Sequence, residues 1–251
     1  MLTRLMLITA LLTLAACGQP APPPPLPAPP AQVAPTTWFI CDALNRPTVL
    51  VFERDGGAVR VARYDKPNGA LIERTEYQIG PEQGAAGSIY LTLLQNGAEA
   101  ASIHRLNTGV LETPTAAYTT PFTSVRIGEE EVQCRWLPRT RVMAISGKRT
   151  IVLHEDGDGD LIYSSYDFAD AAGARAVELA NNARTSTFSV EIRGGGEQVG
   201  ADGESYRFAA GSVAYAIMIE RNGAGALQVT GTPAPQAAEP FIALQRGVGV
   251  E

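Results

Sequence analysis

The 251-residue sequence predicts an all-β protein: two tandem antiparallel β-barrel-like domains behind a lipoprotein signal and a proline-rich linker. Three observations lead there. Short β-rich runs alternate with turn residues from Trp38 onward. Stretches of the first half recur in the second at nearly constant spacing. The N-terminus is a short apolar run ending in cysteine and followed by proline.

Taken in order, Arg4 supplies the positive start of an export signal and Leu5 to Ala16 its apolar core. That core is too short for a membrane-spanning helix, which needs roughly 20 residues. It ends in Leu14-Ala15-Ala16-Cys17, the pattern of a bacterial lipobox, so residues 1–16 read as signal peptide and Cys17 as the lipid-bearing residue. Cleavage after Ala16 by an ordinary signal peptidase is the alternative. Gly18 in the second mature position points to the outer membrane, lipid-anchored and facing the periplasm. Residues 17–36 form the tether, and its prolines favour a semi-rigid polyproline II spacer.

Composition narrows the function classes. At 45% hydrophobic and 18% charged, the chain is neither a membrane bundle nor a disordered polymer. A formal charge of −6 without a basic stripe argues against nucleic acid as partner. Two His and three Cys exclude multi-His zinc sites and Cys₄ ribbons, and no cofactor is expected. Membrane contact must come from the acyl chains, not from basic residues.

The β-rich runs of the first domain, 37–137, are Thr48–Phe52, Val59–Tyr64, Thr75–Ile79, Ile89–Leu94, Ala98–Arg105, Ser124–Ile127 and Glu131–Trp136. Those of the second, 138–251, are Val142–Ile145, Thr150–His154, Leu161–Tyr166, Thr187–Ile192, Ala214–Glu220, Ala226–Val229 and Phe241–Gln245. The Ala-rich stretch Ala169 to Arg184 predicts a short helix. Thr48-Val49-Leu50-Val51-Phe52-Glu53 recurs as Thr150-Ile151-Val152-Leu153-His154-Glu155, 102 positions on, and Tyr64-Asp65 recurs as Tyr166-Asp167 at the same spacing. Gly87-Ser88-Ile89-Tyr90 matches Gly203-Glu204-Ser205-Tyr206 at 116, and Gly97-Ala98-Glu99-Ala100 matches Gly211-Ser212-Val213-Ala214 at 114. Cys41 and Cys134 bracket the first domain in a chain bound for an oxidising compartment. With Cys17 lipidated they are the two left to pair, free buried thiols being the alternative.

Phe39-Ile40-Cys41-Asp42, Val132-Gln133-Cys134 and the glycine–tyrosine motif between them resemble the membrane-bound inhibitors of c-type lysozyme, small envelope lipoproteins with an eight-stranded barrel. Gly87, Tyr90, Gly97 and Ala100 match the family's middle motif, as do Gly203, Tyr206, Phe208, Gly211 and Ala214 in the second copy. The resemblance implies that glycine builds the turns and tyrosine fills the core. It implies a lysozyme-like partner, met by the loops that hold Ala86, Gly87, Ser88, Tyr90, Asn96 and Gly97, and Asp202, Gly203, Tyr206, Ala210 and Gly211. The family's inhibitory Ser, however, falls on Ala86 and Asp202, and its Lys on Asn96 and Ala210. Ala86 and Asn96 supply neither the hydroxyl nor the cation that face the lysozyme carboxylates; Ser88 is a nearby hydroxyl that could substitute, but the loop holds no lysine, so weak or no inhibition is expected.

Asp156, Asp158 and Asp160, with Asp167 further on, have the spacing of a calcium loop. Leu161 stands where such loops need glycine, so a solvated hairpin is the preferred reading. No nucleophile elbow, phosphate loop or Cys/His pair is present, and an enzyme is not expected. Two functions compete: an inhibitor-like binding module that meets a lysozyme-like or other envelope protein, and a structural scaffold lipoprotein holding an envelope component.

Overall fold

Alternating apolar and polar residues between glycine-containing turns give the chain its strands, and the computed structural model is accordingly all-β. It describes residues 37–170, 177–179, 183–233 and 236–247. All of these belong to one unit, Ala34–Glu251. Residues 1–36, which hold the expected signal peptide, Cys17 and the expected tether, lie outside the described residues.

In the first half β1 (Thr37–Asp42), β2 (Thr48–Asp55), β3 (Ala58–Asp65), β4 (Leu71–Ala85), β5 (Ser88–Gln95), β6 (Ala98–Leu106), β7 (Phe122–Ile127) and β8 (Glu130–Gln133) pair in chain order as one antiparallel meander. Two 3₁₀ turns, Thr108–Val110 and Pro114–Ala116, fill the β6–β7 connection. Among the described residues the outer strands are joined at the isolated bridge Ala43↔Cys134, so the ladder does not close along its length. There Cys41 and Cys134 form a disulfide with a Cα separation of 4.7 Å, inside the usual range for a bridge.

The second half holds β9 (Thr140–Ile145), β10 (Arg149–Glu155), β11 (Leu161–Asp167), β12 (Val177–Glu178), β13 (Arg184–Thr185), β14 (Val190–Arg193), β15 (Gly196–Gly200), β16 (Gly203–Ala210), β17 (Val213–Glu220), β18 (Gly225–Thr230), β19 (Glu239–Pro240) and β20 (Ala243–Arg246). They form two five-stranded sheets, β14-β11-β10-β9-β20 and β15-β16-β17-β18-β19, and a two-stranded ladder β12-β13. The chain itself joins the sheets at both edges. It turns from β14 to β15 through Gly194 and Gly195, and from β19 to β20 through Phe241 and Ile242. Gly195 is required at that corner, because a Cβ there would lie 2.1 Å from the buried ring of Phe208. Of the stretch predicted as helix, Val177–Glu178 and Arg184–Thr185 pair as extended strands, while 171–176 and 180–182 lie outside the described residues.

Each half has its own core, and a third apolar cluster lies between them. Phe39, Leu50, Phe52, Leu93 and Ile103 fill the first core, where Phe39 stacks on Phe52 and Phe122 at 4.1 and 4.0 Å. Ile151, Leu153, Tyr163, Phe208 and Ile217 fill the second. Ile40, Val49, Val51 and Ala62 from the first half pack against Met143, Ile145, Val152, Tyr166 and Phe168 from the second. Strand β2 is therefore buried on both faces, which is why Val49 to Phe52 reads as a continuous apolar run and not as an alternation.

The strand pairings correct the repeat. Leu50 and Phe52 face inward in the first half, as Ile151 and Leu153 do in the second, a spacing of 101 and not 102. The hairpin ends Ala85↔Ser88 and Gly200↔Gly203, and Gln95↔Ala98 and Ala210↔Val213, are all 115 positions apart, between the 116 and 114 of the sequence match. Tyr64 and Tyr166 do correspond, both packing between the halves. A one-residue slip turns every side chain to the opposite face, so identity of letters was a poor guide where both faces are apolar.

Candidate functional site

Alternation along β1 sends Phe39 and Cys41 into the first core and Ile40 and Asp42 to the opposite face, toward the second half. Asp42 and Arg135 each directly follow a bridged cysteine, so the disulfide sets them side by side, with the Arg135 backbone N–H donating to the Asp42 carbonyl at 2.9 Å. Arg135 Nε donates to Asp42 Oδ2 at 2.8 Å, and Lys66 Nζ stands 2.6 Å from Oδ1. Lys66 also donates to the Ala43 carbonyl. All three charged residues are at most 5% exposed. Burial pushes the Asp42 carboxyl up, but Lys66 and Arg135 beside it outweigh that and hold it below its ordinary 3.8.

The second half completes the arrangement. Arg135 Nη1 donates to Thr185 Oγ1 at 2.5 Å and Nη2 to Ser186 Oγ at 2.8 Å. Its guanidinium lies 3.3 Å from the centre of the Tyr166 ring, a stacked cation–π contact. Above this cluster a cavity of about 430 Å³ opens between the halves. The loop 42–47, Lys66 and Arg135 wall one side, and residues 166–170 and 186–189 the other. On its wall Asp167 pairs with Arg149 at 3.1 Å and Asp170 accepts from the Ser189 hydroxyl at 2.8 Å. The Asp167 carboxyl is raised above its ordinary value, first by burial and, beyond the opposing pull of Arg149, by Asp170.

The residues singled out in the sequence lie elsewhere. Ala86 and Gly87 form the β4–β5 turn, and Asn96 and Gly97 the β5–β6 turn. Consecutive hairpin turns of a meander sit at opposite ends of their shared strand, so the eight residues of β5 hold them about 26 Å apart. Asp202 and Gly211 are separated in the same way by β16. Gly203 and Ala210 are the end residues of β16, not turn residues, and Gly203 stays glycine because a Cβ would meet the Ile219 carbonyl at 2.0 Å. Ser88 opens β5 opposite Leu106. Tyr206 fills the second core, but Tyr90 is 44% exposed and stacks on His104 at 4.6 Å, so the core role implied for it does not hold. Asn96 has φ of 53° ahead of Gly97 at 78°, the left-handed pair of a tight hairpin turn, where Asn is tolerated far better than Lys.

The calcium reading also separates. Asp156 Oδ1 accepts the backbone N–H groups of Asp158 and Asp160, both at 3.0 Å, and so organises its own hairpin. Asp167 stands at the far end of β11, facing Arg149. No group of three metal-ligating side chains occurs among the described residues.

No protein-family model and no curated protein matches the chain. In the sequence Asp42 stands out only as part of a cysteine motif, and Lys66, Arg135, Tyr166 and Ser186 carry no functional signal of their own. The available signal was the pair Cys41-Asp42 and Cys134-Arg135: a disulfide between the cysteines brings opposite charges together.

Proposed function

We propose that the protein is a lipid-anchored binding module of the bacterial envelope. It is held by Cys17 at the periplasmic face of the outer membrane and takes a small polar ligand in the cleft between its halves. The observation that carries this reading is the buried Lys66–Asp42–Arg135 cluster at the base of a 430 Å³ cavity. A cavity of that size, with few convergent polar groups and some apolar wall, suits small-molecule recognition. Lys66 is buried against Asp42 at 2.6 Å and donates to the Ala43 carbonyl, an arrangement that suits binding. The lysozyme-inhibitor resemblance is retained as a kinship of fold and address, with weak or no inhibition, since the two motif turns of each half stand at opposite strand ends.

Native mass spectrometry of the full chain in detergent, after incubation with the small-molecule fraction of envelope extract, tests the site. A bound mass should appear on the parent protein. It should be lost with Thr187→Trp, which sets a bulky ring over the cleft from an exposed position. No bound mass, or one indifferent to this substitution, would refute the cleft as binding site.

A further inference from the structure

The charges around the cleft are unevenly placed, and this points to the class of ligand. At the base two cations face one carboxylate, leaving one positive charge in excess. Lys66 has three N–H groups and meets two protein oxygens, donating to Ala43 O and standing in an ion pair with Asp42 Oδ1, which accepts no well-aligned hydrogen bond. Arg135 has five and gives three, to Asp42, Thr185 and Ser186. One N–H of Lys66 and two of Arg135 thus lack an acceptor among the described residues, on side chains more than nine-tenths buried. Buried cationic donors without acceptors match an anionic oxygen ligand.

The opposite wall carries the other sign. Arg149 and Lys148 face Glu239 and Asp167, which balances that group. Asp170 meets no cation among the described residues and is held only by Ser189. Arg46, also on the wall, is drawn toward Glu130 at 3.9 Å. The cleft is therefore dipolar, positive at its base and negative at Asp170, with Leu44, Pro47 and Phe168 as apolar wall between.

We propose that this cleft, accepted as the binding site, recognises a small zwitterion, an α-amino acid or short peptide. Its carboxylate meets the free donors of Lys66 and Arg135. Its ammonium faces Asp170. The side chain lies along the apolar wall.

The test is calorimetric titration of the full chain in detergent with four probes: the alanyl-alanine dipeptide, its C-terminal amide, its N-acetyl form and inorganic phosphate. The dipeptide should bind. The amide should bind at least about 30-fold more weakly, since it removes the partner of buried cations. The N-acetyl form should lose several-fold. Lys66→Met strips Asp42 of a buried partner and threatens the fold, so Asp170→Asn, at the exposed rim, is the variant of choice. It should leave the melting temperature unchanged and bring dipeptide and N-acetyl dipeptide to the same affinity. Equal binding of dipeptide and amide, or binding of phosphate alone, would overturn the zwitterion assignment. Failure of all four probes, while a bound mass sensitive to Thr187→Trp persists, would also overturn it and leave the cleft reading standing. Failure of both measurements would remove both.

Discussion

The two halves of the molecule solve the same closure problem in different ways. In the first, β8 reaches β1 at the isolated bridge Ala43↔Cys134, and the disulfide fixes that contact. In the second, β20 pairs with β9 over four residues, from Ala243↔Ile145 to Arg246↔Val142, and no cysteine is present. The position that pairs and packs like Cys41 is held by Ala144, opposite Leu244. A hydrogen-bonded ladder in one half thus stands where a covalent bond stands in the other. The ladder has its own requirement: the chain must bend sharply to bring β20 back, and the sheet splits in two at Gly194–Gly195 and Phe241–Ile242. The first half keeps one sheet, and β4 absorbs the bend at the bulge between Ile79 and Glu82.

This contrast can be broken at several points. The largest effect should come from the seam that both halves share. Val152→Asp would bury an unpaired charge against Val49 and Val51 and should cost about 4 kcal/mol or more in denaturant unfolding. The halves should unfold in one transition; two independent transitions in the parent would show that the seam does not couple them. Next comes the disulfide. Replacing Cys41 and Cys134 together by Ser should cost about 2–5 kcal/mol, consistent with closing a 93-residue separation. Gly195→Ala strikes the closure of the second half and should cost about 1–3 kcal/mol, because the Phe208 ring must move in a packed core. A cost under a few tenths would mean that the corner is looser than described.

A smaller effect should come from pH. His104 and His154 both have pKa values lowered from their ordinary 6.5, chiefly by burial. The fold therefore disfavours their charged forms. Their contribution is fully present above pH 6.5 and is lost as pH falls through the lowered values. Melting temperature should decline gently on going from pH 7.5 to 5, and His104→Gln with His154→Gln should flatten that slope. Asp42, with its lowered value, adds its own loss only below about pH 4. The smallest change is expected from the hairpins. Ala86→Ser with Asn96→Lys should not gain inhibition of c-type lysozyme in a lysis assay, since the two turns lie at opposite ends of β5.

Much of the architecture was legible because local chemistry dictates it. The hairpin turns at Asp55–Ala58, Asn96–Gly97 and Asp156–Asp160 announce themselves through Gly, Asn and Asp, and the cysteine pairing follows from count once Cys17 is read as the lipid-bearing residue. Register was not legible. Val49 to Phe52 is apolar at every position, so nothing in the letters says which pair faces which core. Strand β1 is hidden in the sequence although Phe39 and Cys41 alternate with Ile40, because four apolar residues in a row mask the period. The cleft was illegible for a different reason. Its base comes from residues 42, 66, 135, 166 and 186, which only the packing of one half on the other brings together.

Ligand recognition is proposed between the halves and not at the hairpin turns. Hydrogen exchange of the full chain, with and without the small-molecule fraction that supplies the bound mass, tests it most directly. Added protection is expected in residues 42–47, around Lys66 and in 183–189, with none in the turns at 86–87 and 96–97. Protection confined to those turns, with the cleft segments unchanged, would contradict it.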